Sequence, residues 1–433
     1  MLATEQATFT FIATSDISAK AKGRAVASSD FSADTSVGWV PANLGIGPLG
    51  YIVDGIPFCS EGDLRLQADS ASQYHIAGLP GRAPFSVCFA DTVMPDGTAW
   101  SSCARSLLKE TLQLAKDRYG LTFSCSFEHE FVEKNSALNT HPFSFENFLQ
   151  GEPLGSTIFS VLSAAGVEPE CWLPEYAPHQ YELTLKPTDP VSAADRAILL
   201  REVVKESFKA AGREVTFSPV AVPDGGGTGV HVHYGIYGEG GEIVAFDPER
   251  PGRQSELAAR FNAGVVKYAP EMTALFAPLL VSYQRLRPNN WSVAKAFCGL
   301  QNREALVRIC PTNEIGGRKP DRQYHFEFRG GDVGANPWTL VTAILRAGLA
   351  GLEENLDPVK VYEGGTGPEI AAEAVSLPGS LKEALARFEE SAVVRSWFSE
   401  EWVQTFLAIK RNEIESLSSL TLKEQCEAYA NLY

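Results

Sequence analysis

The pattern of apolar and polar positions changes near residue 100 of this 433-residue chain. Before that point, short apolar runs alternate with Gly, Pro, Ser and Asp clusters, which is typical of strands joined by turns. They predict a small mixed sheet and a first domain over residues 1–97. The runs are FTFIAT (9–14), GRAVA (23–27), GYIVD (50–54) and PFSVCFAD (84–91).

Helical periodicity follows, and it predicts a second domain over residues 98–433. In SLLKETLQLAKDRYG, the apolar positions share one helix face and Gly120 supplies a stop. A second helix is expected to open at Ser192, with Asp195 as its capping-box partner, and to end before Gly212. Residues 380–433 predict two or three amphipathic helices that pack on the body or on another subunit.

Composition, net charge and cysteine spacing disfavour several classes of protein. Hydrophobic residues make up 44% and charged residues 21%, and the formal net charge of -16 disfavours nucleic acid or an anionic membrane as partner. The chain has neither a membrane-spanning apolar run nor a secretory start, so we expect a cytoplasmic protein. The eight cysteines are scattered without a C-x-x-C pair, which predicts reduced, mostly core residues and no zinc site.

The stretch FSCSFEHEFVEKN, residues 123–135, carries two carboxylates inside an apolar run. In a strand, Glu128 and Glu130 point to one face, roughly 7 Å apart, and His129 points to the other. Two like charges on a half-buried face repel each other unless a positive group lies between them. For an isolated E-x-E pair, a solvated edge strand is the simpler interpretation.

Three further segments repeat this arrangement, with ionisable residues two apart on a strand or on either side of a turn. The residues are Glu175 and Glu182 in PEYAPHQYELTLKP, His231 and His233 in DGGGTGVHVHYGIYG, and Glu327 and Arg329 in YHFEFRGGD. Carboxylates with an imidazole suit hard cations such as Mg²⁺ or Mn²⁺ better than thiolate-binding metals. His231 taken alone would be interpreted as a core histidine, but its carboxylate neighbours favour a ligand. Two bound ions would offset the repulsion and hold a nucleotide phosphate.

Four arginines lie beside strand-like or turn segments of this acidic chain. They are Arg285, Arg303, Arg308 and Arg329. Guanidinium groups match carboxylate and phosphate oxygens, so four of them near a metal site indicate phosphoryl transfer to or from a carboxylate. Each one alone would be interpreted as a surface or structural ion-pair residue. The glycine-rich run 225–229 can bring backbone N–H groups to an anion, but the chain contains no Walker motif and no dinucleotide-binding fingerprint followed by a helix.

Six segments resemble, in sequence order, the motifs of the glutamine synthetase family. They are FEHEF, the turn between Glu175 and Glu182, GGTGVHVH, YQRLRP, NREALVRIC and HFEFRGGD-x-x-ANP. The resemblance runs from about Asp16 to the C-terminus. It implies an α+β fold, with an N-terminal β-grasp domain and a catalytic domain whose antiparallel β funnel is surrounded by helices. It also implies a homo-oligomer, a hexameric ring or a double-ring dodecamer, with each active site at a subunit boundary.

The resemblance implies a role for each site residue. The metal ligands would be Glu130, Glu175 and Glu182 for one Mg²⁺ or Mn²⁺ ion, and Glu128, His231 and Glu327 for the other. Glutamate would be bound by Arg285 and the backbone of Gly227. Phosphate would be bound by Arg303 and Arg308, with Arg329 near the transferred group, and the nucleotide by His233, Glu170 and Arg308. Asp16 aligns with an aspartate that a neighbouring subunit contributes to the amine site.

The implied reaction is an ATP-dependent ligation. Phosphorylation turns the γ-carboxylate of glutamate into an acyl phosphate that an amine attacks, with Asp16 as the candidate base and water kept out. One departure concerns the amine: Trp291 in RLRPNNW stands where ammonia-using members place a glutamate. An indole lines an apolar or aromatic pocket, or binds a cation over its ring, unless it simply packs the flap. We therefore expect an alkyl or aryl amine and a γ-glutamylamide product.

Two alternatives belong to other classes. Glutamine synthetase acting on ammonia is one, and Trp291 counts against it. A non-catalytic structural relative is the other, and the six filled metal positions count against it. Gly226 replaces an asparagine that the family usually has beside the glutamate site, which leaves the acid substrate open.

Overall fold

The computed structural model describes residues 8–134, 141–287, 293–364 and 368–433. Two sheets carry most of the strands in these ranges. The first sheet has five strands in the order β2-β1-β5-β4-β3 and is antiparallel except for the β1–β5 pair. Its strands are β1 (Phe9–Ser15), β2 (Ala21–Ala27), β3 (Ser36–Trp39), β4 (Leu64–Ile76) and β5 (Phe85–Val93).

The prediction of a small mixed sheet is confirmed, but one of its strands is wrong. Residues 50–54 form a turn with a single bridge from Ile52 to Ile46, and Gly50 and Gly55 on either side have φ of 92° and 80°. Such left-handed backbone interrupts a strand. The strands β3 and β4 had no clear apolar run, because the outer face of β4 is polar and exposed.

The second sheet positions the candidate chemistry. Its path is β15-β12-β13-β14-β10-β6-β8-β7, with β9 paired to β6. The pairs are antiparallel except where β12 meets β13 and β15, so the sheet is mixed at one edge. Its strands, together with the separate pair β11–β16, are β6 (Leu121–Glu133), β7 (Pro169–Pro174), β8 (Gln180–Leu185), β9 (Val215–Thr216), β10 (Val230–Gly238), β11 (Lys295–Ala296), β12 (Cys298–Leu300), β13 (Val307–Ile309), β14 (Phe326–Phe328), β15 (Val361–Glu363) and β16 (Val375–Ser376).

Helices cover the apolar face of this sheet and extend into a helical tail. They are α1 (Ala104–Tyr119), α2 (Phe145–Gly151), α3 (Leu154–Ala164), α4 (Pro190–Ala210), α5 (Glu256–Phe276), α6 (Ser282–Arg285), α7 (Pro337–Glu353), α8 (Pro368–Glu373), α9 (Leu381–Glu390), α10 (Ala392–Arg395), α11 (Glu400–Leu417) and α12 (Leu422–Leu432). Among the helices in the part of the chain that the structure describes, none combines the length and apolarity needed to cross a bilayer.

The first two helix predictions have different outcomes. Helix α1 ends at Gly120, which has the left-handed conformation expected of a glycine stop. Helix α4 begins at Pro190, because Asp189 caps its first turn by accepting a hydrogen bond from the Ser192 N–H. The predicted start at Ser192 is therefore wrong, and so is the capping role of Asp195, which is fully buried.

Close packing of α5 on α7 forms the centre of the helical layer. At Gly264 an added Cβ would lie 2.1 Å from the carbonyl oxygen of Ala347 and 2.8 Å from Cα of Gly351. Only glycine permits this approach of two backbones. Further along the chain, α9 packs against α5, and α11 packs against the turn at residues 41–45. The predicted amphipathic tail helices are confirmed, and they contact the body of the same chain.

A buried arginine joins the first sheet to the helices. Arg105 in α1 donates to Asp195 at 2.9 Å and to Asp91 at 2.9 Å, and it also donates to Ser72 at 2.7 Å. Both Arg105 and Asp195 are almost fully buried, and Trp338 donates to Asp195 at 2.8 Å. A buried charge pair of this kind is held in place by its hydrogen bonds.

We expect Arg105→Ala to lower the free energy of unfolding by about 3–5 kcal/mol, because it leaves Asp195 as an unpaired buried carboxylate. The control is Arg118→Ala in the same helix, which removes an exposed pair with Glu353 at 3.1 Å. That change is expected to cost at most about 1 kcal/mol. Urea denaturation followed by tryptophan fluorescence measures both, and equal losses would contradict the role given to Arg105.

Candidate active site

Strand β6 separates its side chains between two faces, as its alternation predicts. Phe127, His129 and Phe131 lie on the side of the helices and are almost fully buried. Glu128 and Glu130 point to the opposite face. Strand β6 lies between β10 and β8, inside the sheet, so the interpretation as a solvated edge strand is wrong.

The strand register brings the candidate residues into cross-strand pairs. Glu130 is opposite Glu182, Glu128 is opposite His231, and Glu327 is opposite both His233 and Arg308. Side chains at such positions start about 5 Å apart, so they meet without long extension. We call this group the carboxylate cluster; its residues are Glu128, Glu130, Glu175, Glu182, His231 and Glu327.

Oxygen and nitrogen donors converge within the cluster. His231 Nδ1 lies 3.4 Å from Glu128 Oε2 and 3.5 Å from Glu327 Oε1. One donor atom from each of Glu128, Glu182 and His231 falls within a mutual distance of 4.8 Å, as does one from each of Glu128, His233 and Glu327. A donor set of carboxylates with one or two imidazoles fits Mg²⁺ or Mn²⁺.

Three carboxylates of the cluster hold their protons more tightly than usual. Burial and the neighbouring Glu175 carboxylate raise the pKa of Glu130 from 4.5 to about 7. Burial, followed by the charges of Glu128 and Glu130, raises the pKa of Glu182 well above its usual range. Burial also raises the pKa of Glu175. The cluster therefore carries more carboxylates than its own cations neutralise.

Two other carboxylates of the cluster, Glu327 and Glu128, are ionised. Burial alone would raise the pKa of Glu327, but the charges of Arg329, His231 and His233 together outweigh it and hold the pKa at about 2. Burial is likewise outweighed at Glu128, where the charge of His233 and hydrogen bonds from His231 and His233 hold the pKa well below 4.5. Burial and then the charge of Arg329 lower the pKa of His231 to about 4, so its imidazole is neutral near pH 7. A neutral imidazole is the form that binds metal ions.

Gln180 is a site residue that the sequence analysis did not single out. Its Nε2 donates to Glu130 Oε2 at 3.0 Å and to the carbonyl oxygen of Gly227 at 2.9 Å. The Gly229 N–H donates to the same carboxylate oxygen at 3.0 Å. Gln180 lies two residues before Glu182 on β8, and this period-two spacing was the signal that could have found it.

A cavity of about 350 Å³ is lined by Gly227, Gln284, Arg285 and Arg287, among others, and Gln180 links Gly227 to Glu130 of the cluster. Arg285 is buried, and its Nη2 donates to the carbonyl oxygens of Gly330 and Gly331, both at 2.7 Å. Its buried Nε has no hydrogen-bond partner within the described ranges. Gly227 packs directly on this side chain, since an added Cβ would lie 2.8 Å from Arg285 Cγ. The cavity thus offers a fixed cation with donor capacity left over.

Two arginines contact Glu327, and the backbone of a third adjoins one of them. Arg308 Nη1 donates to Glu327 Oε2 at 2.7 Å, and Arg329 Nη1 donates to Glu327 Oε1. Arg329 Nε donates to the carbonyl oxygen of Arg303 at 2.8 Å, while the side chain of Arg303 is exposed. The structure therefore brings the predicted phosphate-binding arginines to the edge of the carboxylate cluster.

Two predicted residues lie away from the cluster. Asp16 is buried beside the first sheet, where it accepts a hydrogen bond from the Lys20 N–H at 2.9 Å and lies 3.5 Å from Lys22 Nζ. Glu170 is exposed on the edge strand β7. Within the described ranges, no contact joins either residue to the cluster. Trp291 lies outside the described residues.

The chain matches the family model described as glutamine synthetase, catalytic domain, over residues 101–429. Among known proteins it is similar to gamma-glutamylpolyamine synthetase GlnA3 of Streptomyces coelicolor, with 30% identity over 83% of this chain and 79% of that protein. It is also similar to glutamate–isopropylamine ligase of a Pseudomonas species, with 26% identity over 88% and 85%. Further relatives in this range of identity are glutamine synthetases.

A solved structure described as a novel glutamine synthase homolog superposes with a TM-score of 0.92 and 33% identity, and the match covers 100% of both chains. The overall architecture is therefore that of a glutamine-synthetase-type fold with mixed helix and sheet content.

Metal binding should depend on pH through Glu130. Its pKa is 4.5 in an unfolded chain and about 7 in the fold, so its proton stabilises the fold fully below pH 4.5, and this contribution is lost as the pH rises through 7. A divalent ion that binds in place of the proton neutralises the Glu130 carboxylate and restores this stability. We expect Mg²⁺ to raise the thermal midpoint more at pH 8 than at pH 6. Glu130→Gln should weaken that difference, whereas Glu249→Gln, at an exposed position, should preserve it.

Thermal scans in chelator and in excess Mg²⁺, at both pH values, make this comparison. A stabilisation by Mg²⁺ that is the same at pH 6 and pH 8 would contradict the assignment of Glu130.

Proposed function

The chain belongs to the glutamine synthetase family of ATP-dependent ligases, and from this premise we propose that it joins the γ-carboxylate of glutamate to an organic amine. The observation that carries the proposal is the wall shared by the cavity and the carboxylate cluster. Gln180 donates to Glu130 on one side and to Gly227 on the other, and Gly227 packs on Arg285. An acid bound at Arg285 would therefore lie beside the ions.

The cavity fits the binding of a small amino acid. Arg285 has the planar donor geometry that an α-carboxylate matches, and its burial strengthens such a contact. Gly226 offers no side-chain amide here, and a Cβ at this position would lie 2.7 Å from Cβ of Ala177. The backbone of residues 226 and 227 would supply the remaining polar contacts. Glutamate is the acid that this arrangement and the family favour.

The carboxylate cluster would hold two divalent ions, one at Glu130, Glu175 and Glu182 and the other at Glu128, His231 and Glu327. Bound ions would neutralise the phosphates of ATP and the developing charge on the transferred group. Arg308 and Arg329 are held in place by Glu327, and Arg303 adjoins Arg329, so these cations would face the phosphoryl group without reorganising. His233 and Glu170 would contact the nucleotide.

The amine would enter the site from the side of a neighbouring subunit and attack the acyl phosphate there. Asp16 does not reach the cluster of its own chain, so it would complete the amine site of the next subunit in a ring. Burial raises the pKa of Asp16 to about 6, which suits a group that accepts a proton near neutrality. In this proposal residues 1–97 would form a β-grasp domain and residues 98–433 the catalytic domain.

The relatives and Trp291 together support an organic amine as the second substrate. A gamma-glutamylpolyamine synthetase and a glutamate–isopropylamine ligase are both similar to this chain over most of its length. Trp291 would give the amine site an aromatic wall in place of a carboxylate. Such a wall favours alkyl, aryl or polyamine groups over ammonium.

An amine panel tests the proposal directly. We expect ADP release, with glutamate and Mg-ATP, to be faster with one or more alkyl, aryl or polyamine substrates than with ammonium at equal concentration. Mass spectrometry of the product should show the matching γ-glutamylamide. Ammonium outperforming every organic amine would support glutamine synthetase instead, and no ADP release with any amine would support a non-catalytic relative.

Arg285→Gln tests the acid site separately. We expect the KM for glutamate to rise by about 10- to 100-fold, because a buried charged hydrogen bond contributes roughly 1.5–3 kcal/mol. ATP binding should change little, which separates this effect from misfolding. The control is Arg322→Gln, at an exposed position. An unchanged KM for glutamate would show that another residue binds the acid.

A further inference from the structure

A second group of ligating side chains lies behind the carboxylate cluster. One donor atom from each of His233, Cys310 and His325 falls within a mutual distance of 4.8 Å. His233 Nδ1 is 3.7 Å from Cys310 Sγ and 3.1 Å from His325 Nε2. Cys310 is buried, and the two histidines are half-buried. This group contains a thiol, whereas the carboxylate cluster consists of carboxylates and one imidazole.

The strand register explains why three separate segments meet. Cys310 directly follows β13 and His325 directly precedes β14, and these strands pair with Ile309 opposite Phe326. The Cys310 N–H donates to the carbonyl oxygen of His325 at 3.3 Å. His233 reaches the pair from the adjacent strand β10. The widely spaced cysteines of the sequence gave no hint of this grouping, because the other two ligands are histidines on other strands.

The separations match those around a tetrahedral ion. With Zn–N bonds of about 2.0–2.1 Å and a Zn–S bond of about 2.3 Å, tetrahedral angles put two nitrogens roughly 3.3 Å apart and a nitrogen and a sulfur roughly 3.6 Å apart. The observed 3.1 and 3.7 Å lie within a few tenths of an ångström of these values. Little movement of the side chains would be needed to bind an ion.

A protein oxygen also lies close to the second ring nitrogen of each histidine. His325 Nδ1 lies 2.6 Å from the carbonyl oxygen of Gln323, and His233 Nε2 lies 2.9 Å from Glu128 Oε1. A carbonyl or carboxylate beside the distal ring nitrogen is the usual support of a metal-binding histidine. The other two ring nitrogens, His233 Nδ1 and His325 Nε2, face each other, and His233 Nδ1 also faces Cys310.

We propose that His233, Cys310 and His325 form a binding site for a soft divalent cation of the zinc class, separate from the hard-cation cluster. Thiolate with imidazole selects such ions, whereas carboxylates select Mg²⁺ or Mn²⁺. Three protein ligands leave a fourth position for water or another small ligand. Glu128 contacts His233 on one side and His231 on the other, so an ion at this site would help to fix a carboxylate of the cluster.

Cobalt titration of the full-length protein tests the site without an activity assay. The metal-free protein is first saturated with Mg²⁺, and Co²⁺ is then added as a spectroscopic substitute for zinc. We expect one equivalent per chain to produce a thiolate-to-cobalt charge-transfer band and the intense visible bands of four-coordinate cobalt. Added Zn²⁺ should abolish both sets of bands by displacement.

Matched variants assign the ligands. Cys310→Ser should remove the charge-transfer band, whereas Cys171→Ser, at an exposed cysteine on β7, should keep it. His325→Gln should weaken cobalt binding by about 10-fold or more, and His75→Gln, at an exposed histidine on β4, should leave it unchanged. The His325 variant keeps the test valid if Cys310→Ser fails to fold. Absence of the band in the wild type, its persistence in Cys310→Ser, or unchanged affinity in His325→Gln would each overturn the proposal.

Discussion

Repulsion between carboxylates on one face of a buried sheet is the constraint on which the rest of this structure depends. Glu128, Glu130 and Glu182 project from adjacent strands, and the fold offers them only partial neutralisation. Protons remain on some, and arginines and histidines compensate others. Buried carboxylates that are only partly neutralised destabilise the fold, and divalent cations that bind after folding explain why they are kept. The helices on the opposite face keep the strands in register while that charge is unsatisfied.

Much of this site could be predicted because its signal is local. A period of two along a strand fixes which side chains share a face, so FEHEF and VHVH revealed their pairs without any knowledge of pairing partners. The same rule accounts for Gln180, which was overlooked because an amide carries no charge to draw attention. Helix α1 could be predicted equally well, because its apolar stripe and its terminal glycine both lie within one segment.

Most of what sequence reasoning missed is set by contacts between distant segments. Asp195 looks like a capping residue in its own helix, and only the approach of Arg105 from α1 makes it a buried ion-pair partner. Cys310 and His325 are fifteen residues apart, and their meeting depends on the pairing of β13 with β14. GYIVD has the composition of a strand, but glycines at both ends impose turns. At Asp195 and Cys310 the deciding contact comes from a distant segment, whereas the miss at GYIVD has a local cause in the left-handed glycines at its ends.

The glycine contact between α5 and α7 has a consequence for how such an enzyme diversifies. Two helices whose backbones touch at Gly264 and Gly351 cannot slide or tilt without collision, so the layer behind the ion-binding strands tolerates little change. Changes in substrate range are therefore expected in the connecting loops on the open face, where insertions and substitutions do not disturb the helical layer. Relatives built on this plan can therefore differ in their loops while the layer behind the carboxylate cluster stays the same.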